Sequence, residues 1–216
     1  LAVTFGTRIY KYDNSLVGFF GYSAGYSSRT GVAACFAPTI VAGSPCTNLD
    51  KSTKDTGFLH KINATYKFTP DALVYFTTSR GYRPGGINRR GDLPPYSADF
   101  IDNYEAGWKT SWAGDRIRFN GAIYQLNWQD LQISILGANG LTQIQNAGKA
   151  RIRGFEAELW TRPADGLTLS SSISYNDAKL TKPYCGVDDA TGCPDGAVLA
   201  PKGTRLPVTA KVKANA

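Results

Sequence analysis

The stretch Leu167-Thr-Leu-Ser-Ser-Ser-Ile-Ser-Tyr175 alternates apolar and hydroxyl-bearing residues along most of its length. Because successive side chains of a β-strand point to opposite faces, its leucines, isoleucine and tyrosine share one face. The threonine and most of the serines share the other. The pattern predicts a strand with one apolar face and one polar face.

The same alternation recurs along most of the chain. It is clear at 3–10, 58–68 and 103–112, where apolar and aromatic side chains oppose charged or polar ones. Apolar residues spaced three and four apart, which would indicate helices, are hard to find. Further strands are predicted at 73–82, at 116–128 continuing toward 136, at 142–161 and from 206. The chain is therefore predicted to be all β, with about eight strands.

The connections between these strands alternate in length. Short links with turn-forming residues fall at 69–72, 113–115 and 162–166, and long links fall at roughly 13–56, 83–101 and 181–205. Aromatic residues such as Trp108, Trp112 and Trp160 lie toward strand ends. Short turns at one rim, long loops at the other and aromatic girdles are typical of an antiparallel transmembrane β-barrel, which is the predicted fold.

Composition and charge exclude other classes. No segment approaches the roughly 18 consecutive apolar residues of a membrane-spanning helix. The 24 Lys and Arg against 17 Asp and Glu give a net charge of +7, but the basic residues are scattered. We therefore expect no nucleic-acid partner.

The four cysteines form two close pairs in loop-like sequence, Cys35 with Cys46 and Cys185 with Cys193. Each pair would close a loop of about ten residues and contribute about 2 to 3 kcal/mol, which implies an oxidising compartment. The single histidine, His60, is distant from both pairs, so we expect no metal site. No set of catalytic residues stands out, and we expect neither an enzyme nor a cofactor.

Four motifs together resemble the barrel of TonB-dependent outer-membrane receptors. They are Gly81-Tyr-Arg-Pro-Gly-Gly-Ile-Asn88, Asn103-Tyr-Glu-Ala-Gly-Trp-Lys109, Trp128-Gln-Asp-Leu-Gln132 and Asn146-Ala-Gly-Lys-Ala-Arg-Ile-Arg-Gly-Phe-Glu-Ala-Glu158, in that order. Similarity at 4–10 and 66–75 extends the resemblance from Leu1 to about Ala178.

This resemblance implies a barrel of about 22 strands, closed around an N-terminal plug domain, in the bacterial outer membrane. Such receptors bind scarce nutrients, for example ferric siderophores, and import them with energy from the inner membrane. The sequence has no plug domain, energy-coupling box or aromatic C-terminal residue. We therefore expect residues 1–216 to be part of one barrel domain. The implied partners are the plug of the same full-length chain, the TonB energy-coupling complex, and outer-membrane lipid with lipopolysaccharide.

The same topology assigns candidate site residues. With short turns in the periplasm, the 83–99 loop and both cysteine pairs would lie outside the cell. Guanidinium and phenol groups suit an anionic iron chelate, so the ligand-binding candidates are Arg80, Tyr82, Arg83, Arg89, Arg90 and Tyr96. These arginines could instead contact lipopolysaccharide or solvent. The predicted lumen-facing charges are Glu105, Lys109, Glu156 and Glu158, which could contact a plug or pair across strands.

Two other folds remain open from the sequence. One is a complete outer-membrane barrel of about eight strands that acts in adhesion or envelope integrity. The other is a secreted β-sandwich binding module. Closure distinguishes the small barrel from a wall segment, because a small barrel would pair its first strand near Val3 with its last near Val208.

Overall fold

The computed structural model describes residues 1–18, 21–22, 34–35, 49–89, 93–136, 142–146, 148–185, 193 and 196–216, with backbone only at 21–22 and 34–35. These residues form strands and no helices, so none of the described segments is an apolar helix that could cross a membrane. The strands are β1 (Ala2–Gly18), β2 (Gly21–Tyr22), β3 (Ala34–Cys35), β4 (Leu49–Thr69), β5 (Ala72–Arg83), β6 (Asp99–Trp112), β7 (Ile117–Gln129), β8 (Gln132–Leu136), β9 (Thr142–Asn146), β10 (Lys149–Ala164), β11 (Leu167–Leu180), β12 (Tyr184–Cys185), β13 (Val198–Ala200) and β14 (Val212–Asn215).

Eight strands form one antiparallel sheet in the order β1-β4-β5-β6-β7-β10-β11-β14. Three two-stranded sheets, β2-β3, β8-β9 and β12-β13, lie within the long connections. In the described residues β1 pairs only with β4 and β14 only with β11, so the wall is not closed. The closure expected of a complete small barrel is therefore not observed, and one large sheet is present where a sandwich would need two. The all-β, antiparallel barrel-wall prediction is confirmed.

Two strands are longer than the sequence predicts. The expected loop 13–56 is partly strand, because β1 and β4 remain paired as far as Gly18 opposite Leu49. The last residues of β1 and the first residues of β4 carry polar side chains on both faces, for example Asp13 and Asn14. Apolar alternation is absent there, although backbone pairing continues.

Backbone turns interrupt three predicted strands. The strand from 116 was expected to continue toward 136, but it ends at Gln129, and Asp130 has a left-handed φ of 53°. The predicted strand 142–161 divides at Gly148, whose φ is 72°. The last strand begins at Val212 and not at Leu206, because Val208 has a φ of 58° and leaves the sheet. A left-handed residue redirects the chain and so ends strand pairing.

Cross-strand pairing divides the sheet into an apolar face and a polar face. On the apolar face, one row of directly opposed residues consists of Phe76, Ala106, Ile123, Phe155 and Tyr175. In the part of the chain that the structure describes, no second layer covers these side chains, and Ile123 remains 59% exposed. An exposed apolar surface of this extent indicates a contact surface for lipid or for another protein.

The polar face changes character along the strands. Its middle carries the row Lys109, Asn120, Glu158 and Ser172. Toward the long loops the same face is apolar, where Leu131, Ala150 and Leu180 form a small core with Trp128 packed against it. The opposite face changes from apolar to charged at the same end of the strands, from Phe155 and Tyr175 to Arg151 and Lys179. At the long-loop end of the sheet, the two faces have therefore exchanged their character, with apolar side chains on one and exposed charges on the other.

Candidate functional site

A buried carboxylate organises the rim from which the long loops start. Asp99, the first residue of β6, is 1% exposed. Both of its oxygens accept hydrogen bonds from Arg83 Nε at 3.0 Å, and the Arg83 amino group also donates to Oδ2. Oδ2 further accepts from Trp128 Nε1 at 2.9 Å and from the Gln132 backbone N–H at 3.0 Å. One carboxylate thus joins the end of β5, the end of β7 and the start of β8.

The strand register explains this arrangement. Arg83 and Asp99 are directly opposed as the last pair of the β5-β6 ladder. Trp128 is the partner of Ile101, two residues further along β6, so its ring lies on the same face as Asp99. The Arg83 guanidinium lies 5.2 Å from the centre of the Trp128 ring, and it also donates to the Gln132 carbonyl at 2.9 Å. Fork geometry and ring stacking both favour arginine over lysine here.

Three side-chain amides join the loop between β5 and β6 to the β8-β9 hairpin. Gln132 Nε2 donates to the carbonyls of Pro84 and Ser97, at 3.0 and 2.9 Å. Asn146 donates to the Ser97 carbonyl at 3.0 Å and accepts from the Ser97 N–H at 2.8 Å.

Asn88, which is 8% exposed, makes the same kind of connection further along the loop. It donates to the carbonyls of Pro94 and Ile144 and accepts from the Ile144 N–H at 3.0 Å. We call Arg83, Asn88, Asp99, Trp128, Gln132 and Asn146 the rim cluster. The cluster thus satisfies backbone groups of the loop between β5 and β6 and of the β8-β9 hairpin.

Two glycines allow the loop to fold closely on itself. Gly86 and Tyr96 exchange backbone hydrogen bonds of 3.0 and 2.9 Å. A Cβ on Gly86 would lie 2.3 Å from the Tyr96 hydroxyl, so only glycine leaves room for that ring. The Gly85 N–H donates to the Tyr12 hydroxyl at 3.1 Å, which ties the loop to β1.

The six predicted ligand-binding residues do not form one constellation. Tyr82 stacks between Tyr10, at 4.0 Å, and Phe100, at 6.2 Å. Arg80 lies over the Phe100 ring at 5.0 Å, with Nε 3.2 Å from Asp102 Oδ1. Arg83 belongs to the rim cluster and Tyr96 packs on Gly86, as described above. Arg89 is exposed in the loop, and Arg90 lies outside the described residues.

The four predicted lumen-facing charges all lie on the polar face. Glu105 accepts a hydrogen bond of 2.7 Å from the Tyr75 hydroxyl. Lys109, Glu156 and Glu158 line a depression of about 750 Å³ together with Tyr75, Asn120 and Ser172. Within the part of the chain that the structure describes, none of the four charges is in a salt bridge, so the alternative of cross-strand ion pairing is not observed there.

One of the two predicted disulfides is present next to Tyr184, which packs on the small core formed by Leu131, Ala150 and Leu180. Cys185 and Cys193 are bonded, with Cα atoms 5.6 Å apart, whereas the Cys35–Cys46 pairing lies outside the described side chains. Tyr184 packs on the Leu131 core and donates to Gln145 Oε1 at 3.0 Å. Burial raises the pKa of Tyr184 above its ordinary value, so the phenol stays a hydrogen-bond donor at neutral pH.

Sequence reasoning missed most of the rim cluster. Only Arg83 was a candidate, although Asn88, Trp128, Gln132 and Asn146 all lie in the quoted motifs. The available signal was the recurrence of amide side chains at the ends of these motifs, next to turn residues. Among the described residues, no group of three or more His, Cys, Asp or Glu side chains is suited to a metal ion.

Comparisons with known proteins agree with this architecture. The family model described as TonB dependent receptor-like, beta-barrel, matches residues 2–216. The pesticin receptor of Yersinia enterocolitica is 33% identical over 149 residues, which are 64% of this chain and 21% of that protein.

Two solved structures are similar in fold. The ferric yersiniabactin uptake receptor FyuA of Yersinia pestis has a TM-score of 0.59 at 23% identity, over 76% of this chain and 23% of that one. The ferric-catecholate import receptor Fiu of E. coli K12 has a TM-score of 0.57 at 18% identity, over 91% of this chain and 27% of that one. The chain thus spans about a quarter of the length of these proteins. On the family match, this chain belongs to the TonB-dependent receptor-like β-barrel family.

Proposed function

We propose that residues 1–216 are part of one barrel domain, in the wall of a bacterial outer-membrane receptor that binds and imports a scarce nutrient, best a ferric siderophore. Members of the family are outer-membrane transport receptors and not enzymes. In this proposal the apolar face contacts lipid and the polar face lines the lumen, where the plug of the full-length chain would lie. The short turns face the periplasm and the rim cluster faces outward.

The observation that carries the proposal is the division of one wall into an apolar face and a polar face, with long connections at one end and short turns at the other. From Leu167 to Tyr175 the apolar face extends over nine residues of β11, and the eight steps between them span roughly 26 Å along the strand. A barrel tilt of about 40° reduces this length to about 20 Å along the membrane normal, which is close to the height of about 25 Å of the apolar band in outer-membrane barrels.

The cargo class rests on two arguments. The similar proteins include receptors named for ferric yersiniabactin and ferric catecholate. The rim also presents arginines, whose guanidinium groups suit the anionic oxygens of iron chelates.

The six candidate residues then divide by role. Arg80, Tyr82 and Arg83 position the rim, because their side chains are engaged by neighbouring strands. Arg89, Arg90 and Tyr96 are the groups that we propose contact the chelate.

The test uses the full-length receptor that contains this wall. Binding of ferric yersiniabactin and of a ferric catecholate is measured by tryptophan quenching for wild type and for the double variant Arg89→Gln/Arg90→Gln. We expect one chelate to bind and the variant to weaken it by at least about 10-fold, as for the loss of two charge-assisted hydrogen bonds.

The matched control is Arg116→Gln/Arg118→Gln, which removes the same charge at the short-turn end and should bind as wild type does. Absence of binding by both chelates would contradict the siderophore assignment. Equal weakening of chelate binding in both variants would contradict the proposed contact of Arg89 and Arg90 with the chelate.

A further inference from the structure

Apart from the rim cluster, a row of mostly charged side chains crosses the sheet on its apolar face. Each member is directly opposed to the next on the neighbouring strand, from β5 to the segment that follows β13. The row consists of Arg80, Asp102, Asn127, Arg151, Lys179 and Arg205. It contains four cations and one anion, and the anion, Asp102, lies beside Arg80.

The other three cations are consecutive. Arg151 opposes Lys179, and Lys179 opposes Arg205, with all three exposed. Directly opposed side chains on neighbouring strands have Cβ atoms about 5 Å apart, so like charges repel one another. Such a row costs stability unless an anion lies across it.

The protein itself supplies little compensation. Asp177 is 2.9 Å from Lys179 but belongs to the next row, where Arg153 also lies. Arg153 donates a hydrogen bond to the neutral Gln125 side chain, and Arg205 donates one to the Thr209 carbonyl. In the described part of the chain, neither Arg151 nor Arg205 is in a salt bridge. The local charge is therefore positive, and it is open to an external anion.

The exposed apolar surface begins on the far side of the row that contains Arg153 and Asp177. Phe155 and Tyr175 lie four residues from Arg151 and Lys179 along the same strands, roughly 13 Å away. The two rings stack at 6.0 Å, and Lys211 Nζ lies 5.6 Å from the Tyr175 ring. A ligand that contacts both features must carry negative charge at one end and apolar chains at the other. Free phosphate has only the first of these.

We propose that Arg151, Lys179 and Arg205 bind the phosphate groups of a membrane lipid whose acyl chains lie against Phe155 and Tyr175. The proposal rests on the membrane placement in the proposed function and not on its cargo. Basic clusters at a membrane surface attract phosphorylated lipids in this way. The bound anion also removes the repulsion within the row, so site and lipid stabilise one another.

The test uses the full-length receptor in detergent, delipidated and then titrated with diphosphorylated lipid A, with bound lipid counted by native mass spectrometry. The variant is Arg151→Gln/Lys179→Gln/Arg205→Gln. The matched control is Arg116→Gln/Arg118→Gln/Arg162→Gln at the opposite end of the sheet. We expect the variant to bind lipid A on the order of 100-fold more weakly, since each basic residue contributes roughly a factor of five. The control should bind as wild type does.

Two further ligands distinguish the sources of phosphate. Dephosphorylated lipid A should bind weakly to wild type, and pyrophosphate at the same concentration should not displace lipid A. Unchanged binding by the variant, equal loss in the control, or full displacement by pyrophosphate would each overturn the proposal. If the triple variant does not fold, Arg151→Gln and Lys179→Gln are measured singly, with about fivefold weakening expected from each. Ferric-chelate binding should be unaffected, which separates this result from a failure of the cargo assignment.

Discussion

At the scale of single residues, burial decides what an ion pair contributes. Asp99 and Asp165 each pair with an arginine, Arg83 and Arg116 respectively. The Asp99 side chain is 2% exposed and accepts from three residues, whereas the Asp165 side chain is fully exposed. Removing one partner of a buried pair leaves the other charge and its donors unsatisfied, while an exposed pair contributes little.

We therefore expect Asp99→Asn to lower the free energy of opening of the rim loops by about 2 to 4 kcal/mol, and Asp165→Asn to leave it nearly unchanged. Hydrogen exchange of the full-length receptor provides the measurement. Amides at 84–89 and 131–136 should exchange faster in Asp99→Asn and remain unchanged in Asp165→Asn. Equal protection of these amides in both variants would show that the carboxylate charge of Asp99 does not hold the loops.

Close packing on the apolar face depends on a glycine. Gly121 is directly opposed to Trp108, and a Cβ on Gly121 would lie 2.3 Å from the indole ring. Gly6 on β1, by contrast, has no atom within 4 Å of such a Cβ. The two positions have the same residue type and similar strand conformation, and they differ in the space beside them.

Gly121→Ala should accordingly displace the Trp108 ring and destabilise the wall by about 1 to 3 kcal/mol, the usual cost of overpacking. Gly6→Ala should leave stability nearly unchanged. The measurement is the thermal midpoint of the full-length receptor in detergent, together with its tryptophan emission. A normal midpoint for Gly121→Ala would mean that the indole ring can move away without cost.

At the scale of elements, the β6-β7 turn is held by a local charge network. Ala113, Gly114 and Asp115 have left-handed φ values of 54, 64 and 65°. The Ser111 hydroxyl donates to Asp115 Oδ1, and Arg118 Nε lies 3.6 Å from the same oxygen. The Ser111 hydroxyl and then the Arg118 charge hold the pKa of Asp115 below its ordinary value.

The sign of the pH effect follows from this lowered pKa. The turn gains stability from ionised Asp115 above the unfolded-state pKa of about 3.9, and loses it as pH falls through the lower folded-state pKa. Wild type should therefore have a higher thermal midpoint than Asp115→Asn at about pH 6, and the difference should disappear near about pH 2. A difference that is constant over this range would contradict the role of the carboxylate.

At the scale of the whole molecule, the sheet formed by the described residues has two unpaired edges and an exposed apolar face. β1 offers an edge of 17 residues, with Val3, Phe5 and Ile9 exposed on the apolar face. Long unpaired edges beside exposed apolar side chains promote association between chains.

Residues 1–216 expressed alone should therefore aggregate in aqueous buffer, whereas the full-length receptor should be monodisperse in detergent. Analytical ultracentrifugation of both proteins provides the measurement. A soluble monomer of residues 1–216 would show that the unpaired edges and the exposed apolar face do not drive association.

Much of the fold could be predicted from the sequence, and less of the site. Alternation identified β11 and β6 because apolar and polar residues alternate along most of their length. It missed the upper parts of β1 and β4, where both faces are polar and only backbone pairing defines the strands. Of the rim cluster it identified Arg83 alone, because hydrogen bonds between residues up to 56 positions apart leave no local pattern.

Local sequence was sufficient to establish the all-β class, the alternation of short and long connections, the Cys185–Cys193 pair and the resemblance to receptor barrels. Each of these depends on neighbours along the chain. Strand pairing in the folded chain was needed to show that Asp99 joins three segments and that Arg151, Lys179 and Arg205 form one row. Those contacts depend on register between strands, and register is set by turns and by the packing of whole faces.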